Sequence, residues 1–104
     1  MAEKIRVAVR FGGYNTRRYS RPWIARIAKW TVGEKPELQF GQYVGDSDGG
    51  EVELLAFPGE VIRYGQKDLR GNGTQNAWGI ANDDGTVRVV DASEARAHFG
   101  KGEK

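Results

Sequence analysis

The chain has 104 residues, enough for one domain with one modest core. It lacks cysteine, which excludes disulfides, thiolate metal sites and cysteine nucleophiles. No apolar run approaches the ~20 residues that span a bilayer, and the net charge of +2 hides an asymmetry: residues 1–30 set eight Lys or Arg against Glu3 alone, whereas residues 31–60 set Lys35 against seven acids.

An apolar share of 38%, rich in Ile, Val, Leu, Phe and Trp, argues for a folded chain. Glycine at 15 of 104 is about twice the usual share and predicts many tight turns. In chain order, Lys4–Phe11 (KIRVAVRF) alternates Ile5, Val7, Val9 and Phe11 with Lys4, Arg6, Ala8 and Arg10, the period of a half-buried strand. The first residues thus read as a strand and not as a signal-peptide core, so a cytoplasmic protein is expected. Gly12–Gly13 ends the strand. Tyr14–Arg21 reads as a polar loop, and Pro22 belongs at an edge or boundary.

Trp23–Val32 (WIARIAKWTV) fits two patterns. As a strand it places Ile24, Ala28, Trp30 and Val32 on one face, with Arg26 as a misfit. As a helix it is capped by Ser20 and aligns Trp23, Ile27 and Trp30. The β-branched and aromatic content favours the strand. Glu37–Val44 reads as one strand with Gly41 as a bulge. Gly45–Gly50 is a loop, and Glu51–Phe57 a strand with Val52, Leu54 and Ala56 inward. Pro58–Gly59 is a turn, Glu60–Gly65 a short strand and Gln66–Gln75 a polar loop. Asn76–Ala81 and Thr86–Val90 flank Asn82-Asp83-Asp84-Gly85, a hairpin signature. Asp91 precedes Ala-Ser-Glu, a capping pattern that starts a helix over Ala92–Phe99, ended by Gly100. The expected architecture is all-β: a small barrel or sandwich of six to seven short antiparallel strands with one C-terminal helix, in a single domain over residues 1–99 followed by a disordered tail over 100–104.

The chemistry-bearing residues concentrate in Gly12–Trp30, GGYNTRRYSRPWIARIAKW. This stretch holds Arg17, Arg18, Arg21, Arg26 and Lys29 among Tyr14, Tyr19, Trp23 and Trp30, with no acid. Cations interleaved with flat rings suit a polyanion that also carries stackable groups. Arginine's planar fork matches phosphate. The bland alternative makes the tryptophans core and leaves the arginines solvated or paired with the acidic middle third. The opposite charge blocks either form separate faces or pair across neighbouring strands.

Other constellations are thinner. His98 is the sole histidine and has no evident partner for catalysis. Asp46, Asp48 and Glu51 cluster, but their spacing is not that of a calcium loop, and no metal or cofactor is expected. Lys67, Arg70, Gly71 and Gly73 can offer backbone N–H groups to phosphate without the order of a P-loop.

The runs GGYNTRRYSRPWIA and PGEVIRYGQKDLRG resemble small uncharacterised proteins of bacteriophages and other mobile elements, over most of the chain. The resemblance implies no activity. It implies a nucleic-acid accessory role, or docking on a larger host or virion partner. The expected function is non-catalytic binding of nucleic acid or another phosphate-bearing ligand. Its site residues are Arg17, Arg18, Arg21, Tyr14, Tyr19 and Trp23, joined by Arg6 and Arg10 from the first strand. The alternative is a structural or interaction protein, such as a homo-oligomer in which basic and acidic thirds of neighbours meet. No membrane role is expected.

Overall fold

Among the described residues there are eight strands and one helix, more than the six to seven strands expected because Glu37–Val44 divides in two. A computed structural model describes residues 3–11, 20–31, 33–44, 50–68, 71 and 74–102, with backbone alone for Ser20, Asp68, Thr74, Gln75 and residues 100–102. The elements are β1 (Ile5–Phe11), β2 (Ser20–Lys29), β3 (Glu37–Phe40), β4 (Gln42–Val44), β5 (Gly50–Ala56), β6 (Val61–Asp68), β7 (Thr74–Ala81), β8 (Val87–Val90) and α1 (Ala92–Gly102). Every pairing is antiparallel, in a three-stranded sheet ordered β1-β5-β4 and a five-stranded sheet ordered β3-β2-β6-β7-β8. The sheets pack face to face without closing into a barrel, so the sandwich is the form adopted.

The five-stranded sheet is covered on one face by the smaller sheet and on part of the other by the helix. Towards the smaller sheet it contributes Ile24, Ile62 and Ala81, which pack with Val7, Val52 and Ala56. On the opposite face Ile27, Val61, Ile80 and Val90 pack with Ala95 of α1. This arrangement accounts for Val61 and Ile62, adjacent residues that are both buried: a strand with covered faces on both sides needs apolar residues in succession. Asp91 caps α1 as its spacing predicts, its carboxylate accepting the Glu94 N–H at 2.7 Å. Trp30, just past β2, fastens the helix layer. It stacks on Trp78 with centroids 5.1 Å apart and lies 6.0 Å from Phe99.

One chain segment joins the layers. Glu37–Val44 is two strands and not one: β3 pairs with β2, β4 pairs with β5, and Gly41 is the crossing point. The Gly41 N–H bonds the Ile24 carbonyl at 2.8 Å, and a Cβ there would sit 2.1 Å from the Glu53 carbonyl oxygen. Glycine is required because two backbones approach at the crossing. At the other seam the hairpin turn closes the gap: Gly85, at φ +88°, accepts the Ala8 N–H at 3.0 Å.

Three further expectations are corrected. Trp23–Val32 is strand through Lys29, and its strand begins earlier, so Ser20 and Arg21 are paired backbone and not loop; Val32 lies outside the described residues. Pro22 is tolerated because β3 pairs only from Ala25 onward, leaving β2 one neighbour at Pro22. Much of the expected Gln66–Gln75 loop is ladder, since Gln66 and Lys67 pair with Gln75 and Thr74. Polar residues serve in a strand where the sheet end meets solvent. Finally, α1 runs through Gly100 to Gly102; a helical glycine costs only ~1 kcal/mol against alanine. Residues 103 and 104 lie outside the described residues.

Candidate nucleic-acid interface

Side chains alternate along β2, so Arg21, Trp23, Ala25 and Ile27 share one face. Ile27 lies in the cluster under α1, which identifies this as the helix-side face of the five-stranded sheet. Register adds the neighbours. Lys67 stands directly opposite Arg21, Arg63 opposite Ala25 from β6, and Phe40 opposite Ala25 from β3. Asn76 and Trp78 follow on β7, opposite Gly65 and Arg63. The helix contributes Ala95 and Phe99 against the Val61–Ile80–Val90 end. Arg21, Lys67, Trp23, Phe40 and Arg63 belong to the other end.

Trp23, Phe40 and Arg63 each meet a neighbouring side chain. Trp23 is half-buried and meets Phe40 edge to face at 6.0 Å, and Phe40 remains 65% exposed. The small Ala25 between Phe40 and Arg63 is wholly covered. The Arg63 guanidinium lies 4.1 Å from the centroid of Trp78 and donates from Nη2 to Asn76 Oδ1 at 2.8 Å. Its Nε is buried without an acceptor among the described residues, and burial lowers its pKa. No carboxylate occupies these positions, and among the described residues Arg21, Lys67 and Arg63 form no ion pair.

The Arg21–Lys67 rung breaks a local rule. Like charges directly opposite across a ladder repel, whereas opposite charges there are mildly stabilising. Elsewhere opposite charges stand across the ladders, Arg10 opposite Glu51 and Lys29 opposite Glu37, and other arginines find acids nearby. Arg6 bonds both Glu53 and Glu51 across the β1–β5 ladder, which raises its pKa. Arg26, the misfit of the β2 pattern, lies on the inner face at its rim. Its Nη1 meets the Glu60 carboxylate at 3.1 Å and its Nε donates to Gln39 at 2.8 Å. Arg88 pairs with Glu94 at 2.8 Å.

The structure therefore divides the residues singled out in the sequence. Arg21 and Trp23 come together. Arg6 and Arg10 are exposed on the outer face of the other sheet, away from Arg21, because β1 pairs with β5 and not with β2. Tyr14, Arg17, Arg18 and Tyr19 lie outside the described residues, in the segment that leads into Ser20. Phe40, Arg63 and Trp78 were not singled out as site residues; their place beside Trp23 depends on strand register, which no local pattern reports. Lys67 carried a signal as a base among glycines, but its position is in a strand.

His98, the thinnest catalytic candidate, donates from Nε2 to the carbonyl oxygen of Gly59 and so ties α1 to the β5–β6 turn. Asp46 and Asp48 lie outside the described residues, and Glu51 is engaged by Arg6. Among the described residues no group of three His, Asp or Glu side chains is placed to hold a metal ion, and no helix is long and apolar enough to cross a membrane. No known protein family, curated protein or solved structure matches the chain.

Proposed function

We propose that the protein is a non-catalytic binding module for nucleic acid or another phosphate-bearing ligand, held at the Arg21–Lys67 end of the five-stranded sheet. The observation that carries this reading is the like-charged rung itself: two cations stand opposite each other across β2 and β6, with no acid on that part of the sheet face among the described residues. A phosphate between them converts the repulsion into two charge-assisted hydrogen bonds. Arg17 and Arg18 precede Ser20 closely in the chain and are the further cations this reading invokes.

The test is anisotropy of a labelled oligonucleotide across a salt series. Wild type binds at ~50 mM salt, with log K falling linearly against log salt. Arg17→Ala with Arg18→Ala reduces the slope by ~0.7 per lost contact on a single strand or ~0.9 on duplex. Arg6→Ala leaves it unchanged, because Arg6 is engaged by Glu51 and Glu53. Absence of wild-type binding at ~50 mM salt refutes the proposal.

A second reading, docking on a protein partner, is favoured by the rim where the chain crosses between the sheets, which adjoins Phe40. Leu55 is 63% exposed and Phe57 37% exposed. Leu55 lines a cleft of ≈ 630 Å³ with Lys4, Gln42 and Phe40, where the chain crosses between sheets. A homo-oligomer built on basic-to-acidic contact has fewer acids to use, since Glu51, Glu53 and Glu60 are already paired within the chain.

A further inference from the structure

Rings and cations have different places on the helix-side face. The cations Arg21 and Lys67 form one rung at the sheet end. Trp23 is the next residue on that face of β2, and Phe40 stands one further step along, opposite Ala25. Residues that share a face of a strand are ~6.6 Å apart, so the row runs from charge to ring to ring over ~13 Å.

Phe40 is the informative residue. It is a large aromatic 65% exposed on β3, an edge strand of its sheet. It packs against neither core cluster. Its ring contact is with Trp23, edge to face at 65°. Trp23 also belongs to neither core cluster, although it is half-buried. Beside them Arg63 carries a guanidinium without a carboxylate partner among the described residues. Thus the open half of this face offers two rings outside both cores and three cations.

We infer that the ligand is an unpaired strand of nucleic acid whose bases stack on Phe40 and Trp23 while its phosphates lie against Arg21 and Lys67. This rests on the phosphate-binding reading and adds the ligand's class to it. A duplex keeps its base faces stacked inside and presents only phosphates and groove edges, so it satisfies the rung and leaves Phe40 exposed. A single strand satisfies both, since every base has a π-face and stacking tolerates any sequence. Arg63 adds a positive charge beside the rings, and it is a positive edge that an acidic peptide or bare phosphate chain would use without needing the rings.

The experiment uses the full chain and four labelled or competing probes: oligo-dT, oligo-U, a hairpin duplex and inorganic polyphosphate. Wild type binds both single strands more tightly than the duplex. Phe40→Ala weakens oligo-dT and oligo-U binding about tenfold, and leaves duplex and polyphosphate binding within twofold. Phe40→Leu keeps apolar bulk and loses the ring, so it behaves as Phe40→Ala does; Phe40→Tyr retains binding. Because Phe40 is mostly exposed, these variants fold, and an unchanged circular dichroism melt confirms it. If all four probes bind wild type and the Phe40 variants equally, the single-strand inference is overturned and the phosphate-binding reading stands. If Phe40→Leu retains single-strand binding, apolar contact and not stacking is responsible, and the inference is likewise overturned. If no probe binds wild type, the phosphate-binding reading itself fails. Docking of a protein on this face is the conclusion that takes their place when Phe40 variants lose a protein partner and no nucleic acid binds.

Discussion

Lys67→Glu separates the two effects of the Arg21–Lys67 rung, because it improves the fold and damages the site. Cβ atoms directly opposite across an antiparallel pair are ~5 Å apart. Two unit charges at that separation in water interact by ~0.8 kcal/mol before salt screening, and at ~0.15 M salt about half of that remains. Lys67→Glu removes ~0.5 kcal/mol of repulsion from Arg21 and supplies a similar attraction, a gain of ~1 kcal/mol. For a chain of this size that raises Tm by ~4 °C. The gain shrinks by about 40% at ~0.5 M salt, since the pair is exposed. The same substitution removes a phosphate contact and places a negative charge in its stead. Oligonucleotide affinity at ~50 mM salt falls at least tenfold, and the salt slope falls by ~0.7 on a single strand. Thermal melts followed by circular dichroism, run beside anisotropy titrations, read both effects. A higher Tm with unchanged affinity shows that the rung does not touch the ligand. An unchanged or lower Tm refutes the claim that the rung strains the fold.

Two predictions concern the scaffold. Gly41→Ala forces a methyl group to within 2.1 Å of the Glu53 carbonyl oxygen and 2.8 Å of the Leu54 Cβ, and since the obstacles are fixed at the crossing the expected loss is ~3 kcal/mol or more, read as a fall in Tm above ~10 °C. The Asp84 carboxylate accepts from the Thr86 hydroxyl at 2.6 Å and the Thr86 N–H at 3.0 Å, which lowers its pKa below the usual carboxylate value. A lowered pKa makes this contribution complete above the unfolded value near 3.8 and lost as pH falls through the folded value, so denaturant midpoints decline across that acid range and Asp84→Asn flattens that part of the decline.

Local signals carried most of the fold because they depend on neighbours in the chain. The alternation of Lys4–Phe11, the Asp84–Gly85 turn and the Asp91 cap each need only a few consecutive residues, and each is present as read. The failures involve distant partners. Gly41 looks like a bulge until β5 is known to lie against it, when it becomes a change of sheet. Gln66–Gln75 looks like a loop because polar residues obscure a ladder that only pairing with β2 and β7 reveals. Arg26 looks like a misfit because Glu60, its partner, is remote in sequence. The site was half legible for the same reason. The basic, aromatic run pointed to Arg21 and Trp23, whereas Phe40, Arg63 and Lys67 join them through register alone.

The charge asymmetry also has a different meaning once partners are known. Residues 31–60 carry the acids, and β5 places Glu51 and Glu53 under Arg6 while the following turn places Glu60 on Arg26. The acidic third thus neutralises cations at the three-stranded sheet and at the sandwich rim, and not at the helix-side face. A purely structural account of the basic first third predicts the same treatment for Arg21. Instead Arg21 stands opposite Lys67, with Arg63 four residues along β6 and no acid on that part of the face among the described residues. Paired strands can choose opposite charges at no conformational cost, and this chain does so where Arg10 stands opposite Glu51. Among the described residues this end of the sheet face sets two cations directly opposite each other beside the most exposed ring of the β2–β3 pair, which is where a ligand carrying both phosphate and planar groups would be complementary.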